Sequence, residues 1–444
     1  MGETVQDNDI VAVIGLWHLG SVTAACLASH GYKVVGVDQS AELATNLSNG
    51  VPPVYEPGLS EMVKEYLAKG SLEFKNDIPS AVAEAKYVIL AFDTPVKEDD
   101  STDLSPIMSS VADLIPVLRD GALLIVSSQV PVGTCEEIAA RVRKARPSLD
   151  FGVACVPENL KLGEAISRFN SPDLLVMGTS SEREFKEVER LYSFADSPKL
   201  NVSLRTAEMV KHALNSFLAC EVSYANELGN LCDSFGVDFV EVSKALRLDK
   251  RIGNGALLTP GLGFSGGTLG RDVKALQELG KRTGASTMLL DSILEINKRQ
   301  NMMVTKKLEA AIGQINGMKI GVLGLTYKPG TSAIRRSASI EIIKGLIERG
   351  ATVSAYDPKA DLNGTAFGSR FERCKRAEEA AESSDAILLL TGWPEFREID
   401  FMRIKAKMRK PVVIDAMNML DGAKLNSMGF TYSGIGRGDP EMKK

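Results

Sequence analysis

Gly15-Leu16-Trp17-His18-Leu19-Gly20, with Asp38 further on, is the first group of residues whose types and spacing suggest chemistry. A glycine turn between a strand and a helix brings backbone N–H groups close to a pyrophosphate, and an acid about twenty residues later accepts ribose hydroxyls. A carboxylate at that place repels a 2′-phosphate. No basic residue stands beside it in Val37-Asp38-Gln39-Ser40, so the pattern predicts NAD and disfavours NADP. Trp17 departs from the fingerprint, which has glycine there so that the backbone can approach the cofactor; an indole requires the loop to open or the cofactor to shift. Further along, Lys211 and Asn215 lie four apart in Glu208 to Phe235, a proline-free stretch that reads as one long helix, and so project from one face. Pro260 to Gly267 then interrupts the helical pattern with enough glycine for the backbone to fold closely round a ligand.

Two stretches would position these groups. Asp9 to Asp38 reads as a strand (Ile10-Val11-Ala12-Val13-Ile14), a glycine turn, an alanine-rich helix and a second strand (Lys33-Val34-Val35-Gly36-Val37). Lys319 to Asp357 repeats the scheme with strand Ile320 to Gly324, a helix around Ile340 to Arg349 and strand Thr352 to Tyr356. Each is a βαβ unit, and alternating strands and amphipathic helices around them predict two doubly wound α/β domains. From about Arg205 to Gly313 strand signals nearly vanish. There Met209, Ala213, Phe217 and Cys220 share an apolar helix face that suits core packing or a dimer interface.

Composition narrows the partners. A chain of 444 residues exceeds one ordinary hydrophobic core. A net charge of -5 supplies no basic field for nucleic acid or an anionic membrane, so an anionic small molecule must be held by a local cluster of donors. The six cysteines are scattered, without the close pairs of a zinc site or the density of a disulfide scaffold, which suits a reducing cytoplasm and predicts no metal centre. Met1 to Asp7 is polar and acidic, unlike a secretory signal, and no apolar run reaches membrane-spanning length.

Read in order, Tyr55-Glu56-Pro57-Gly58, Asp93-Thr94-Pro95, Pro131-Val132-Gly133-Thr134, Pro157-Glu158-Asn159-Leu160, Lys211 to Asn215, Arg251-Ile252-Gly253, Gly263 to Asp272, Gly324 to Pro329 and Thr391 to Arg397 resemble the UDP-glucose/GDP-mannose dehydrogenase family over nearly the whole chain. The resemblance implies an α/β fold of two Rossmann-like doubly wound domains joined by a central helical dimerisation domain. Its parts fall at 1–204 for NAD binding, 205–313 for dimerisation and the catalytic loop, and 314–444 for the UDP-sugar. It further implies a homodimer that oxidises the C6 hydroxymethyl of a nucleotide sugar to a carboxylate with NAD.

The same resemblance assigns roles. Lys211 stabilises the developing oxyanion beside Asn215; Glu158 activates water; Asp272 orders a water or takes a proton; and Thr268 holds the nucleophile position. Glu158, Leu160, Lys161, Lys211, Asn215, Arg251, Leu257, Gly263, Phe264, Gly267, Tyr327 and Lys328 fall in the substrate set, with Lys328 on the phosphates and Arg251 donated across the dimer. Gly15, Trp17, Gly20, Asp38, Thr94, Pro95, Gln129 and Arg336 fall in the cofactor set.

Three departures matter. The family loop Gly-Phe-Gly-Gly-Ser-Cys-Phe-Pro-Lys-Asp reads Gly263-Phe264-Ser265-Gly266-Gly267-Thr268-Leu269-Gly270-Arg271-Asp272 here, replacing the cysteine that forms a thiohemiacetal with an alcohol that needs a strong base to attack. Gln129 replaces a threonine, and Met417 replaces an arginine. Three readings stay open: oxidation to the acid through the aldehyde hydrate, oxidation that halts at the aldehyde or serves another sugar conversion, and a nucleotide-sugar-binding protein without turnover.

Overall fold

The computed structural model describes residues 9–94, 102–362 and 366–438. Pro95 and the segment Met1 to Asp7, both singled out above, lie outside them. Packing divides the chain after Ala213 into two compact units, each with its own sheet.

In the first unit the strands are β1 (Ile10–Ile14), β2 (Lys33–Val37), β3 (Leu72–Lys75), β4 (Tyr87–Leu90), β5 (Ala122–Val126), β6 (Phe151–Cys155), β7 (Leu175–Gly178) and β8 (Lys199–Val202). They order as β3-β2-β1-β4-β5-β6-β7-β8, with β6 against β7 the antiparallel pairing. Side chains alternate across a strand, so Val11 and Val13 enter one apolar cluster and Ala12 and Ile14 another, on opposite faces of the sheet. Burial on both faces explains why β1 reads as a continuous apolar run.

The second unit carries β9 (Lys319–Leu323), β10 (Thr352–Tyr356), β11 (Glu372–Arg373), β12 (Ala386–Leu389), β13 (Val412–Asp415) and β14 (Thr431–Gly434), all parallel, in the order β11-β10-β9-β12-β13-β14. Its entry turn repeats that of the first unit. Gly15 (φ 89°) donates to Val37 O at 2.9 Å, and Leu16 N to Asp38 Oδ2 at 2.9 Å. Gly324 (φ 100°) donates to Tyr356 O at 2.8 Å, and Leu325 N to Asp357 Oδ2 at 2.7 Å. Both turns need the positive φ that glycine adopts without strain.

Helices dominate the middle of the chain: Leu204–Phe235, Phe239–Leu248, Leu269–Thr283 and Met288–Ile312. The first begins earlier than the expected Glu208, because Ser203 Oγ accepts from Thr206 N and caps it, and Leu204 and Ala207 are buried. Its expected apolar face is open to solvent at Phe217, 63% exposed, and at Ala213, while Cys220 on the same face packs in an apolar cluster within the chain. Among the described residues, no helix is long and apolar enough to cross a membrane.

Candidate active site

In the first unit β1 lies between β2 and β4, so the chain leaves the sheet in opposite directions on either side of this point. Such a switch leaves a crevice beyond the strand ends, where doubly wound folds take their ligands. Gly15, Asp38 and Thr94 follow the three strands concerned, and Gln129 follows β5 next door. Thr94, nearly buried, donates its hydroxyl to Gln129 O at 2.9 Å, joining two cofactor candidates. A side chain at Gly20 would place its Cβ 1.7 Å from Gly15 O, so only glycine allows the following helix to seat against the turn. Trp17 is 52% exposed and sits at the cap position of His18–Ser29 without a side-chain capping bond. The indole therefore leaves the loop interior, and in the first turn Leu19 N donates to Asp93 Oδ2 at 3.0 Å. Asp38 accepts from Leu16 N and, at 3.0 Å, from Ser40 N, which fixes its carboxylate while leaving lone pairs for hydroxyl donors. These residues fit a dinucleotide.

The same unit gathers a charged cluster at the end of β6. Lys211 Nζ donates to Asn159 Oδ1 at 2.9 Å, and Leu160 N donates to the Glu158 carboxylate. Desolvation by the surrounding protein raises the pKa of Glu158 above the ordinary glutamate value. Lys211, the Leu160 N–H and His18 pull it down, and Asp93 adds to the rise. Lys211 is held because its helix is anchored one turn earlier. Glu208 accepts from Gly133 N at 2.6 Å and Cys135 N at 2.7 Å, and His212 meets Val130 O at 2.9 Å. Lys161, by contrast, points to solvent and pairs with Glu164 at 2.6 Å.

Sequence reasoning passed over Asn159 as the partner of Lys211, and His18, whose Nε2 lies 3.0 Å from Glu56 Oε2. Glu56 also accepts from Gly163 N and Ala165 N, so its burial is satisfied. A histidine inside the glycine fingerprint was the available signal.

In the second unit Asn215 Nδ2 donates to Asp272 Oδ2, both residues buried. Asp272 falls in the first turn of Leu269–Thr283, where its N–H bonds back to Thr268 O at 3.2 Å. Gly266 (φ 80°) packs so closely on the Tyr327 ring that a Cβ would lie 2.9 Å away, and its N–H donates to Arg336 O at 3.2 Å. Arg336 itself holds φ 57°, a left-handed conformation costing an ordinary residue about 1–2 kcal/mol.

Leu257, Gly263, Phe264, Tyr327 and Lys328 line one cleft of about 360 Å³, together with Met417. Gly267 and Thr268 are exposed and are not among the residues that line it. Arg251 extends into solvent, its side chain 88% exposed and paired with Asp249 at 2.7 Å. Among the described residues, no cysteine lines the cleft. Cys220 shares an apolar cluster with Phe264 and Leu269, and burial followed by the Glu221 charge raises its thiol pKa.

Three models of one family match the chain: the UDP-glucose/GDP-mannose dehydrogenase family NAD binding domain over residues 9–196, its central domain over 205–299 and its UDP binding domain over 321–422. The chain belongs to this family. UDP-glucose 6-dehydrogenase TuaD of Bacillus subtilis is 34% identical over 96% of this chain and 93% of its own. UDP-glucose 6-dehydrogenase of Rhizobium meliloti is also 34% identical, over 97% of this chain and 100% of its own. Among solved structures, a UDP-glucose dehydrogenase from Pyrobaculum islandicum superposes with a TM-score of 0.89 at 32% identity, covering 98% of this chain and 99% of that one. A UDP-D-ManNAc dehydrogenase from Pyrococcus horikoshii gives 0.86 at 29%, covering 97% and 100%. This family member is thus an NAD-dependent nucleotide-sugar dehydrogenase, with its cofactor crevice in the first unit.

Proposed function

We propose that the protein oxidises the C6 hydroxymethyl of a UDP-sugar of the UDP-glucose type toward the uronic acid. The observation that carries this reading is the cleft of the second unit. Its described lining holds Arg247 and Lys328 and no carboxylate, and it borders Ser337 at the start of helix Ala338–Glu348, a combination suited to a diphosphate. When bound, NAD accepts the hydride from C6. The protein residues manage charge and protons. Lys211 stabilises the oxygen that becomes anionic, Asn215 donates beside it, and Asp272 receives a proton or orders water. Glu158, whose carboxyl pKa is raised, takes the proton of the water that adds to the aldehyde. Thr94, Gln129 and Arg336 belong with the cofactor, and Leu160, Lys161, Arg251 and Leu257 with the sugar nucleotide.

A second reading, in which oxidation halts at the C6 aldehyde or serves another sugar conversion, has a specific observation in its favour. Thr268 is an exposed alcohol and, among the described residues, no thiol lines the cleft, so the second oxidation can come only through the aldehyde hydrate and is slower than the first. The functional division into 1–204, 205–313 and 314–444 follows the same reading. The open face around Phe217, joined by the exposed Leu214 and Tyr224, supports a homodimer, and six free cysteines suit the cytoplasm.

A panel of UDP-sugars assayed for NADH absorbance tests the proposal. UDP-glucose or a close relative should turn over. Tight NAD and UDP binding with no turnover on any sugar would leave a binding protein instead.

A further inference from the structure

We propose that Arg247 is a second cationic contact for the diphosphate of the nucleotide sugar, and that it couples this contact to the glycine-rich loop that lines the cleft. The inference rests on the nucleotide-sugar reading above. Arg247 lies in helix Phe239–Leu248 and is half-buried at the cleft. Its Nε donates to Ala256 O at 3.1 Å and its Nη2 to Thr259 Oγ1 at 2.9 Å. A guanidinium has more N–H groups than these two bonds use, in a planar fork that matches phosphate oxygens.

Charge balance gives the reason for a second cation. A diphosphate joining a nucleoside to a sugar carries a negative charge on each phosphate at neutral pH, and Lys328 offsets one. Met417, on the same cleft, brings no charge. Ser337, 1% exposed, adds a buried hydroxyl whose Oγ has no partner among the described residues. With Lys328 alone the cleft would leave half of the ligand charge to water. Arg247 supplies the remainder from a half-buried position, where screening is weaker than at the surface.

The two bonds already made by Arg247 bracket Leu257 and Leu258, and on the other side Glu221 accepts from Leu257 N at 3.2 Å. A phosphate drawn onto the guanidinium therefore also steadies the segment leading into Pro260 to Gly267.

The test is calorimetric binding of UDP, UMP and uridine to the full chain, for the wild type and for Arg247→Gln, Arg247→Met and Arg247→Lys, with thermal melts to establish folding. Both neutral variants should bind UDP about 10–100-fold more weakly, the range of a charged hydrogen bond, while uridine changes little. Arg247→Lys should recover part of the loss, and NAD affinity should stay the same. Equal weakening of UDP and uridine would make Arg247 a loop-positioning residue only and overturn the proposal, as would UDP affinity within about twofold of wild type in a folded neutral variant. If no neutral variant folds, Arg247→Lys decides: a partial loss confined to UDP supports the charge contact, and unchanged UDP affinity or a loss shared by uridine refutes it. Wild-type protein that binds no UDP would instead sink the nucleotide-sugar reading itself.

Discussion

Asn215 and Asp272, far apart in sequence, meet as a buried amide donor and carboxylate acceptor. Removing either leaves the other buried without this partner, at a cost of about 1–3 kcal/mol. Asp272→Ala should therefore lower the melting temperature as well as kcat, whereas Asp272→Asn should retain more of the stability and still lose turnover. Full activity in a folded Asp272→Asn would show that the pair is structural only.

Lys211 tests the oxyanion assignment. Loss of one preorganised donor typically slows a reaction by about 10²–10³-fold. Lys211→Ala is expected to lose turnover on this scale while binding UDP as before, since Lys211 is not among the residues lining the cleft proposed for the diphosphate. Steady-state kinetics beside UDP calorimetry would separate the two effects, and a loss confined to KM would reassign the residue to substrate binding.

The raised pKa of Glu158 has a definite sign in a pH profile. A carboxyl shifted upward stays protonated to higher pH, and a base works only when ionised. The acid limb of kcat/KM should thus lie above the ordinary glutamate value and disappear in Glu158→Gln. Because Lys211 pulls this pKa down, Lys211→Met should move the limb of the residual activity further toward alkaline pH. An unmoved limb would detach Glu158 from the rate-determining proton transfer.

The exposed Thr268 bears on the end product. Hydroxylamine added during a single turnover should trap a C6 aldehyde, and Thr268→Cys should raise the yield of acid, because a thiol ionises far more readily than an alcohol. Two NADH per sugar with nothing trapped would contradict a slow second step.

Asp38 sets the cofactor prediction. Its fixed carboxylate should disfavour NADP by on the order of tenfold or more through repulsion of the 2′-phosphate, and Asp38→Asn should narrow the gap. Cofactor titrations by fluorescence would measure both. Equal affinities in the wild type would remove Asp38 from the ribose.

Local regularities made much of this protein legible as sequence. Ile10–Ile14, Lys33–Val37 and Thr352–Tyr356 stand where their apolar runs predict, because strands covered on both faces need apolar residues at successive positions. Strand β9 ends one residue before its expected end, since Gly324 already turns at φ 100°. The glycine fingerprint, the Lys211 and Asn215 spacing and the family motifs likewise needed no coordinates. Tertiary packing alone decided which groups meet. It paired Lys211 with Asn159 and His18 with Glu56, left Phe217 in solvent, set Lys161 against Glu164 and Arg251 against Asp249, and brought Arg247 to the cleft. The physical reason is separation along the chain: periodicity reports which way a side chain faces on its own element, while its partner is chosen by how distant elements close around it.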